Sequence, residues 1–106
     1  MVSFKDFQAL ELRVAEILSA ELHPNADRLY VLKIKVADQE KQIVAGIKLH
    51  YQPAELIGKK IVVVNNLEPA TIRGVESNGM LLAASTDEKL TLVTPERDIP
   101  SGAQVR

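Results

Sequence analysis

The chain has 106 residues, 25% of them charged and none of them cysteine, and its formal net charge is −1 at pH 7. This length fits one domain over residues 1–106, while the composition excludes a disulfide framework and offers no apolar run long enough to cross a bilayer. The N-terminus lacks the basic and then apolar pattern of a signal peptide, so a cytoplasmic protein is predicted.

The first predicted element is a short N-terminal helix. Ser3 and Asp6 have the spacing of a helix N-cap followed by an acid three positions later. Phe4, Phe7 and Leu10 then recur at three-residue intervals. This spacing places all three apolar side chains on one side of the helix.

The rest of the chain is predicted to be mainly β. Alternating or continuous apolar residues predict strands over 12–22, 30–37, 42–47, 60–65 and 90–93, with further extended segments at 67–74 and 79–85. The alternation breaks near Ala15 and Glu16, which predicts a bulge. Residues 52–58 predict one short helix, with Pro53 in its first turn. A polar loop is predicted at 75–78.

This order of elements indicates the fold class. Short strands with turns every eight to twelve residues are typical of an all-β barrel or sandwich. A short helix between strands 3 and 4 favours the five-stranded OB-fold barrel, which binds nucleic acids on its strand face and loops. The terminal segments would be extra elements outside the barrel.

Residues 23–30 predict a polar turn that leads into the second strand. Pro24 fixes its own φ, and Asn25 can bond back to the backbone to close a turn. On the strand, Lys33 and Lys35 alternate with apolar residues and share the outer face, about 7 Å apart. This distance is close to the spacing of successive phosphates, although two ordinary solvated lysines would give the same pattern.

The sequence offers no catalytic residues, no metal ligands and no cofactor motif. It has no cysteine nucleophile and no Gly-rich phosphate loop. His23 and His50 lie far apart without a second ligand at metal spacing. We interpret His23 as a turn residue and His50 as a loop residue or a donor at the edge of the core. The chain is therefore predicted to be non-catalytic by itself.

Several ordered blocks resemble one known family. They are residues 12–14, 23–33 (HPNADRLYVLK), 42–47, 50–51, 58–60, 63–67, 73–74, 77–80 and 82–84. Together they resemble the tRNA-binding domain found at the C-terminus of methionyl-tRNA synthetases and in free-standing tRNA-binding proteins. The resemblance implies an OB-fold, tRNA as the partner, and a role as a domain of methionine–tRNA ligase or as an accessory to it.

Side-chain chemistry and the resemblance together suggest a set of tRNA-binding residues. An Asn can read a base edge, and an Arg can stack on a base or bind a phosphate. Ser77 is expected to donate to a phosphate or sugar, and Met80 to pack on a base, although a core position is the alternative for Met80. The candidates are Asn25, Arg28, Lys33, Lys35, Asn66, Arg73, Ser77 and Met80.

Two features of the sequence count against a strong single-strand binder. Glu68 stands where related proteins often carry a lysine, which removes a cation beside the candidate site. Aromatic stacking platforms are scarce, since Tyr30 is expected in the core and Tyr51 is the one candidate. Residues 28–60 hold seven basic and three acidic side chains, but the sequence leaves open whether these form a positive face. The prediction is tRNA binding with little sequence specificity; the alternative is a chaperone-like or protein-interaction OB-fold dimer.

The two ends of the chain predict self-association. The apolar side of the N-terminal helix and the apolar C-terminal segment are not needed to complete a five-stranded barrel. Exposed apolar patches of this kind usually mark an interface, and a two-fold contact is the commonest solution. A homodimer is therefore predicted, and the alternative is that both ends fold back onto their own barrel.

Overall fold

Four antiparallel strands form a curled sheet that is the wall of a barrel. The computed structural model describes residues 1–106. The four strands are β1 (Leu12–Leu22), β2 (Tyr30–Val36), β3 (Gln39–Ala45) and β4 (Lys60–Val64). Their order in the sheet is β3-β2-β1-β4. β1 is long enough to pair with β2 along one half and with β4 along the other.

A fifth, broken strand closes the barrel between β4 and β3. The C-terminal part of this segment is β7 (Met80–Leu81), which pairs with β4. Just before it, the Asn78 backbone N–H donates to the Gln42 carbonyl of β3 at 2.8 Å. The segment therefore spans both free edges of the sheet, and the predicted five-stranded OB-fold is confirmed.

The core fills the barrel with branched aliphatic side chains. Ile17, Leu32, Ile43 and Ile61 are all fully buried, as the alternation along each strand predicts. Helix α2 (Pro53–Leu56) lies between β3 and β4, as predicted, and inserts a fully buried Leu56. Burial of a leucine of this kind contributes about 2 kcal/mol.

The outer side of β4 is also covered. Val62 and Val64 point away from the barrel into a second cluster with Leu12, and Leu82 and Val105 pack against it. This arrangement explains why β4 is apolar on both faces.

Three local predictions need correction. The bulge in β1 lies between Ile17 and Ser19, two residues later than predicted. β3 begins at Gln39, because the chain reverses in a two-residue turn in which Ala37 has φ 53. The segment predicted as a loop at 75–78 is largely strand.

That strand belongs to a hairpin of β5 (Ala70–Ile72) and β6 (Val75–Ser77). Its two turn residues, Arg73 and Gly74, have φ values of 52 and 89. Positive φ at both positions defines a type I′ turn, whose twist matches the flanking strands. The Arg-Gly pair therefore marked a hairpin turn, and an arginine is unusual at its first position.

The terminal elements lie outside the barrel. Helix α1 (Phe4–Gln8) begins at Ser3, whose hydroxyl accepts from the Asp6 N–H at 3.0 Å, so the predicted N-cap is confirmed. β8 (Ala83–Ser85) and β9 (Leu90–Leu92) form a second hairpin, and β10 (Gln104–Val105) pairs with the start of β1. Neither helix has the length or apolar content required to cross a membrane.

Candidate functional site

The β1–β2 turn and the β5–β6 hairpin lie against each other and exchange hydrogen bonds. The Asn25 side-chain amide donates to the Arg73 carbonyl at 3.3 Å, and Arg73 Nη2 donates to the Asn25 carbonyl at 3.1 Å. Two candidate residues that are 48 positions apart in the chain are thus direct neighbours. Because both side chains are exposed, they also face solvent together.

Arg28 lies beside this contact. It lines a shallow depression of about 340 Å³ together with Ala26, Asp27, Leu29 and Arg73. The two ion pairs of the protein join other residues, Arg13 with Glu11 and Lys60 with Asp98. The guanidinium groups of the depression therefore have no acidic oxygen within 4.0 Å, and both are available to an anionic ligand.

The outer face of β2 continues the positive surface. Lys33 and Lys35 are both exposed and unpaired. Directly opposed residues of antiparallel strands lie on the same face of the sheet. The residues opposite each lysine therefore determine its electrostatic surroundings, and they differ between the two. Lys33 lies opposite the neutral Ser19 and Gln42.

Lys35 has acidic neighbours instead. It lies opposite Glu16 of β1 and Glu40 of β3. The two carboxylates lower the local positive potential, although neither makes an ion pair with the lysine. Lys33 is therefore the more available cation of the two for a bound phosphate.

Gln42 connects this strand face with the hairpin. Its side-chain amide donates to the Glu76 carbonyl of β6 at 2.9 Å. The face of β2 and the Asn25–Arg73 contact are consequently parts of one continuous surface, which we call the β2 face. Gln42 was not among the predicted residues, because its partner lies 34 positions away and no local pattern indicates it.

Met80 lies at the closing strand and is 47% exposed. It pairs with Val64 at the end of β4. This exposure rules out the core position considered for it and leaves its thioether side chain accessible to a ligand. Glu68, in the preceding loop, is also exposed.

Ser77 does not occupy the position that the sequence suggested. It is only 3% exposed. Its hydroxyl accepts from the Val44 N–H at 2.9 Å and donates to the Gly79 carbonyl at 3.1 Å. Both capacities of the hydroxyl are used where the closing strand meets β3. We therefore assign Ser77 a role in closing the barrel and remove it from the contact residues.

The Ser77→Ala substitution is expected to lower the free energy of unfolding by about 1–3 kcal/mol, because it leaves the buried Val44 N–H without an acceptor. Affinity for tRNA, the partner that the family resemblance implies, should stay within about twofold of the wild type when it is measured well below the unfolding transition. The exposed Ser85 provides the control, since Ser85→Ala should change stability by less than about 0.5 kcal/mol. A loss of affinity at unchanged stability would return Ser77 to the contact set.

Asn66 also has a different role from the expected one. Its side-chain oxygen accepts from the Glu11 N–H at 2.8 Å, and its amide donates to the Ala9 carbonyl at 2.8 Å. The side chain thereby fixes the C-terminal end of α1 against the end of β4. Neighbouring Asn65 accepts from the Lys41 ammonium at 2.8 Å. Because both the oxygen and the nitrogen of the Asn66 side-chain amide are bonded to backbone groups next to α1, we remove Asn66 from the contact residues.

The two tyrosines are structural. Tyr30 is buried, as predicted, and its hydroxyl donates to the Tyr51 carbonyl at 2.6 Å. Tyr51 is half-buried against the core, and its hydroxyl accepts from the Leu92 N–H at 3.1 Å. Tyr51 is therefore not a free stacking platform, and the β2 face has no exposed aromatic side chain.

An apolar groove lies apart from the β2 face, at the chain ends. It has a volume of about 420 Å³ and is lined by Phe4, Phe7, Gln8, Leu10, Gln104, Val105 and Arg106. Phe4 is 72% exposed and Leu10 48% exposed, and α1 buries no residue. The C-terminal strand folds back onto its own barrel, but the N-terminal helix leaves its apolar side uncovered. We call this surface the terminal groove.

Comparison with known proteins identifies the family. The family model described as a putative tRNA binding domain matches residues 12–104, which is nearly the whole chain. The chain belongs to this family. The tRNA-binding domain is also 50% identical over 105 residues to a segment of the methionine–tRNA ligase of Thermococcus kodakarensis. That match covers 99% of the domain but only 14% of the ligase.

Solved structures match the domain over its full length. A MetRS-related protein from Pyrococcus horikoshii has a TM-score of 0.93 at 34% identity and is covered over 98% of its chain. A CsaA chaperone protein from Picrophilus torridus has a TM-score of 0.92 at 32% identity, with both chains covered completely. The tRNA-binding domain is therefore related both to a segment of a large ligase and to proteins of its own size.

Proposed function

We propose that this domain binds tRNA on the β2 face with little sequence specificity, and that it assists methionyl-tRNA synthetase as its C-terminal domain or in trans. In this proposal the domain is cytoplasmic, acts as a homodimer and is non-catalytic by itself. The proposed contact residues are Asn25, Arg28, Lys33, Lys35, Arg73 and Met80. The synthetase catalytic domain is a further proposed partner.

The observation that carries this proposal is a set of four cations without acidic partners on one surface. Arg28 and Arg73 line one depression, and Lys33 and Lys35 extend the same surface along β2. The protein as a whole has a net charge of −1, so long-range attraction of a polyanion is weak. Local potential directs a ligand to its site even in a near-neutral protein. These side chains supply it, Lys35 less than the other three because Glu16 and Glu40 lie opposite it.

The chemistry of the surface explains the low sequence specificity. Lysine and arginine contacts to phosphates fix position and affinity but carry no sequence information. Both side-chain amides of the surface that could read a base edge are already engaged, since Asn25 donates to the Arg73 carbonyl and Gln42 donates to the Glu76 carbonyl. Without an exposed aromatic platform, the surface suits the backbone and shape of folded RNA better than a threaded single strand.

Self-association would bring two such surfaces into one particle. The terminal groove is separate from the β2 face, so a contact through the groove leaves the RNA-binding residues free. Two linked faces bind a large RNA with higher avidity than one. The same principle applies to the synthetase, because a tethered tRNA-binding domain raises the local tRNA concentration without adding catalytic contacts.

Salt dependence tests the proposal. If four cations contact phosphates, log K should fall with log salt at a slope of about −3, so affinity should drop on the order of 50-fold between 50 and 200 mM salt. Bulk tRNA should be titrated into the labelled protein and followed by fluorescence anisotropy. Absence of saturable binding at 50 mM salt would refute the proposal.

A second candidate function is the binding of unfolded polypeptide. Its support is the CsaA chaperone protein, which matches the whole domain, together with the exposed apolar side chains of the terminal groove. Competition between tRNA and a reduced, unfolded polypeptide separates the two functions. Displacement of polypeptide by tRNA indicates one shared surface, and independent binding indicates two.

A further inference from the structure

The imidazole of His23 connects the two loops that carry Asn25 and Arg73. Although His23 lies in a surface turn, it is only 5% exposed. Its Nδ1 is 2.9 Å from the Asn25 backbone nitrogen, and its Nε2 is 2.9 Å from the Ile72 carbonyl oxygen. The first partner belongs to its own turn, and the second lies 49 positions later in β5.

These two partners allow one protonation state. The Asn25 backbone N–H can only donate, so Nδ1 must carry a lone pair. The Ile72 carbonyl can only accept, so Nε2 must carry the proton. The neutral Nε2–H tautomer satisfies both bonds, whereas the other tautomer satisfies neither. A ring with protons on both nitrogens would set two donors against each other at Asn25.

The other bonds between the turn and the hairpin are exposed. Asn25 and Arg73 exchange theirs at the surface, where water competes for the same donors and acceptors. The backbone bond from His23 N–H to the Leu29 carbonyl, at 3.2 Å, closes the base of the turn. The imidazole is therefore the one buried side chain that bonds both the turn and the strand before Arg73.

We infer that His23 is a positioning residue, which holds the Asn25–Arg28 turn at a fixed distance from Arg73 and so sets the affinity of the β2 face for RNA. This inference rests on the proposed function. His23 itself does not contact RNA, because its ring is buried and both nitrogens are occupied. Loss of its bonds lets the turn and the hairpin move apart, and a phosphate in the depression then loses one of its two guanidinium partners.

Three variants of the full chain separate the two bonds. The amide of His23→Asn can occupy the place of Nδ1 and accept from Asn25, but it cannot reach Ile72. The amide of His23→Gln can occupy the place of Nε2 and donate to Ile72, but it leaves Asn25 unpaired. His23→Ala loses both. Affinity for tRNA should fall about three- to tenfold in each amide variant and further in His23→Ala.

The salt slope distinguishes positioning from a general loss of stability. If Arg73 no longer reaches its phosphate, the slope of log K against log salt in His23→Ala should become shallower by about one. A merely structural role would leave the slope of the folded protein unchanged. In the wild type, long-range ¹H–¹⁵N NMR should show the Nε2–H tautomer of His23. In His23→Gln, hydrogen exchange at the Asn25 backbone amide should accelerate, because this N–H has lost its acceptor.

Arg28→Gln is the matched control, since it should weaken tRNA binding while the His23 tautomer and Asn25 exchange stay as in the wild type. Wild-type affinity and slope in His23→Ala, or a protonated Nδ1, would overturn the inference while the proposed function stands. If the wild-type protein binds no tRNA, the proposed function fails, and so does the proposed effect of His23 on RNA affinity. The rate of hydrogen exchange at the Asn25 backbone amide then still decides whether the imidazole holds the turn.

Discussion

Reversing the charges of Arg28 and Lys33 together is expected to weaken tRNA binding by at least about 100-fold. Each side chain is exposed and has no acidic partner, so each can form a charge-assisted contact with a phosphate. Loss of one such contact costs about tenfold or more in affinity. The introduced carboxylates also repel the RNA backbone. The measurement is anisotropy titration of Arg28→Glu/Lys33→Glu with tRNA at 50 mM salt.

The control carries the same change of charge at another place. Lys89→Glu/Arg97→Glu alters two exposed cations outside the β2 face and also lowers the net charge by four. Since exposed substitutions usually change stability by less than about 0.5 kcal/mol, both double variants should stay folded. Equal losses of affinity in the two variants would show that net charge, and not the β2 face, governs binding.

Introducing aspartate at Phe4 and Phe7 is expected to convert the proposed homodimer into monomers. Both rings line the terminal groove, with 72% and 38% of their surface exposed in the single chain. Two carboxylates within an apolar contact would have to lose their hydration without a partner, which is costly. Sedimentation equilibrium at micromolar concentration should give nearly twice the 11.7 kDa chain mass for the wild type and one chain mass for the variant. Affinity for tRNA should fall with the loss of the second β2 face.

Leu49→Asp/Ile57→Asp supplies the matched control. The side chains of Leu49 and Ile57 are also exposed, by 69% and 58%, but they lie outside the groove. The control variant should therefore remain dimeric. A wild-type protein that sediments as a monomer over the whole concentration range would reject the homodimer, and a monomeric control would place the contact elsewhere.

The sequence predicted the barrel because its strands follow a local rule. Along β2, buried Leu32 and Ile34 alternate with exposed Lys33 and Lys35, and alternation depends only on neighbours in the chain. The turns were harder to predict. The hairpin at Arg73 and Gly74 was missed because an arginine with positive φ contradicts the local preference of the residue, and the pairing of the flanking strands imposes it.

Only part of the candidate site could be predicted, because the sequence shows local alternation but not contacts between distant segments. Exposed cations on a strand can be inferred from alternation, but the partner of a polar side chain cannot. Ser77 and Asn66 have the right chemistry for RNA contacts, and yet their groups bind the backbone of Val44 and Ala9. His23 was interpreted as a turn residue. Its bond to Ile72 could not be predicted, because the β1–β2 turn and strand β5 meet only in the fold.

NMR mapping tests most directly whether tRNA binds on the β2 face. Unlabelled tRNA should be added to the ¹⁵N-labelled full chain at 50 mM salt, and the amide signals followed through the titration. Signals of Arg28, Lys33, Gln42 and Arg73 are expected to shift or broaden first, while those of the β8–β9 hairpin stay unchanged. Changes confined to that hairpin or to α1, with β2 unaffected, would contradict binding on the β2 face.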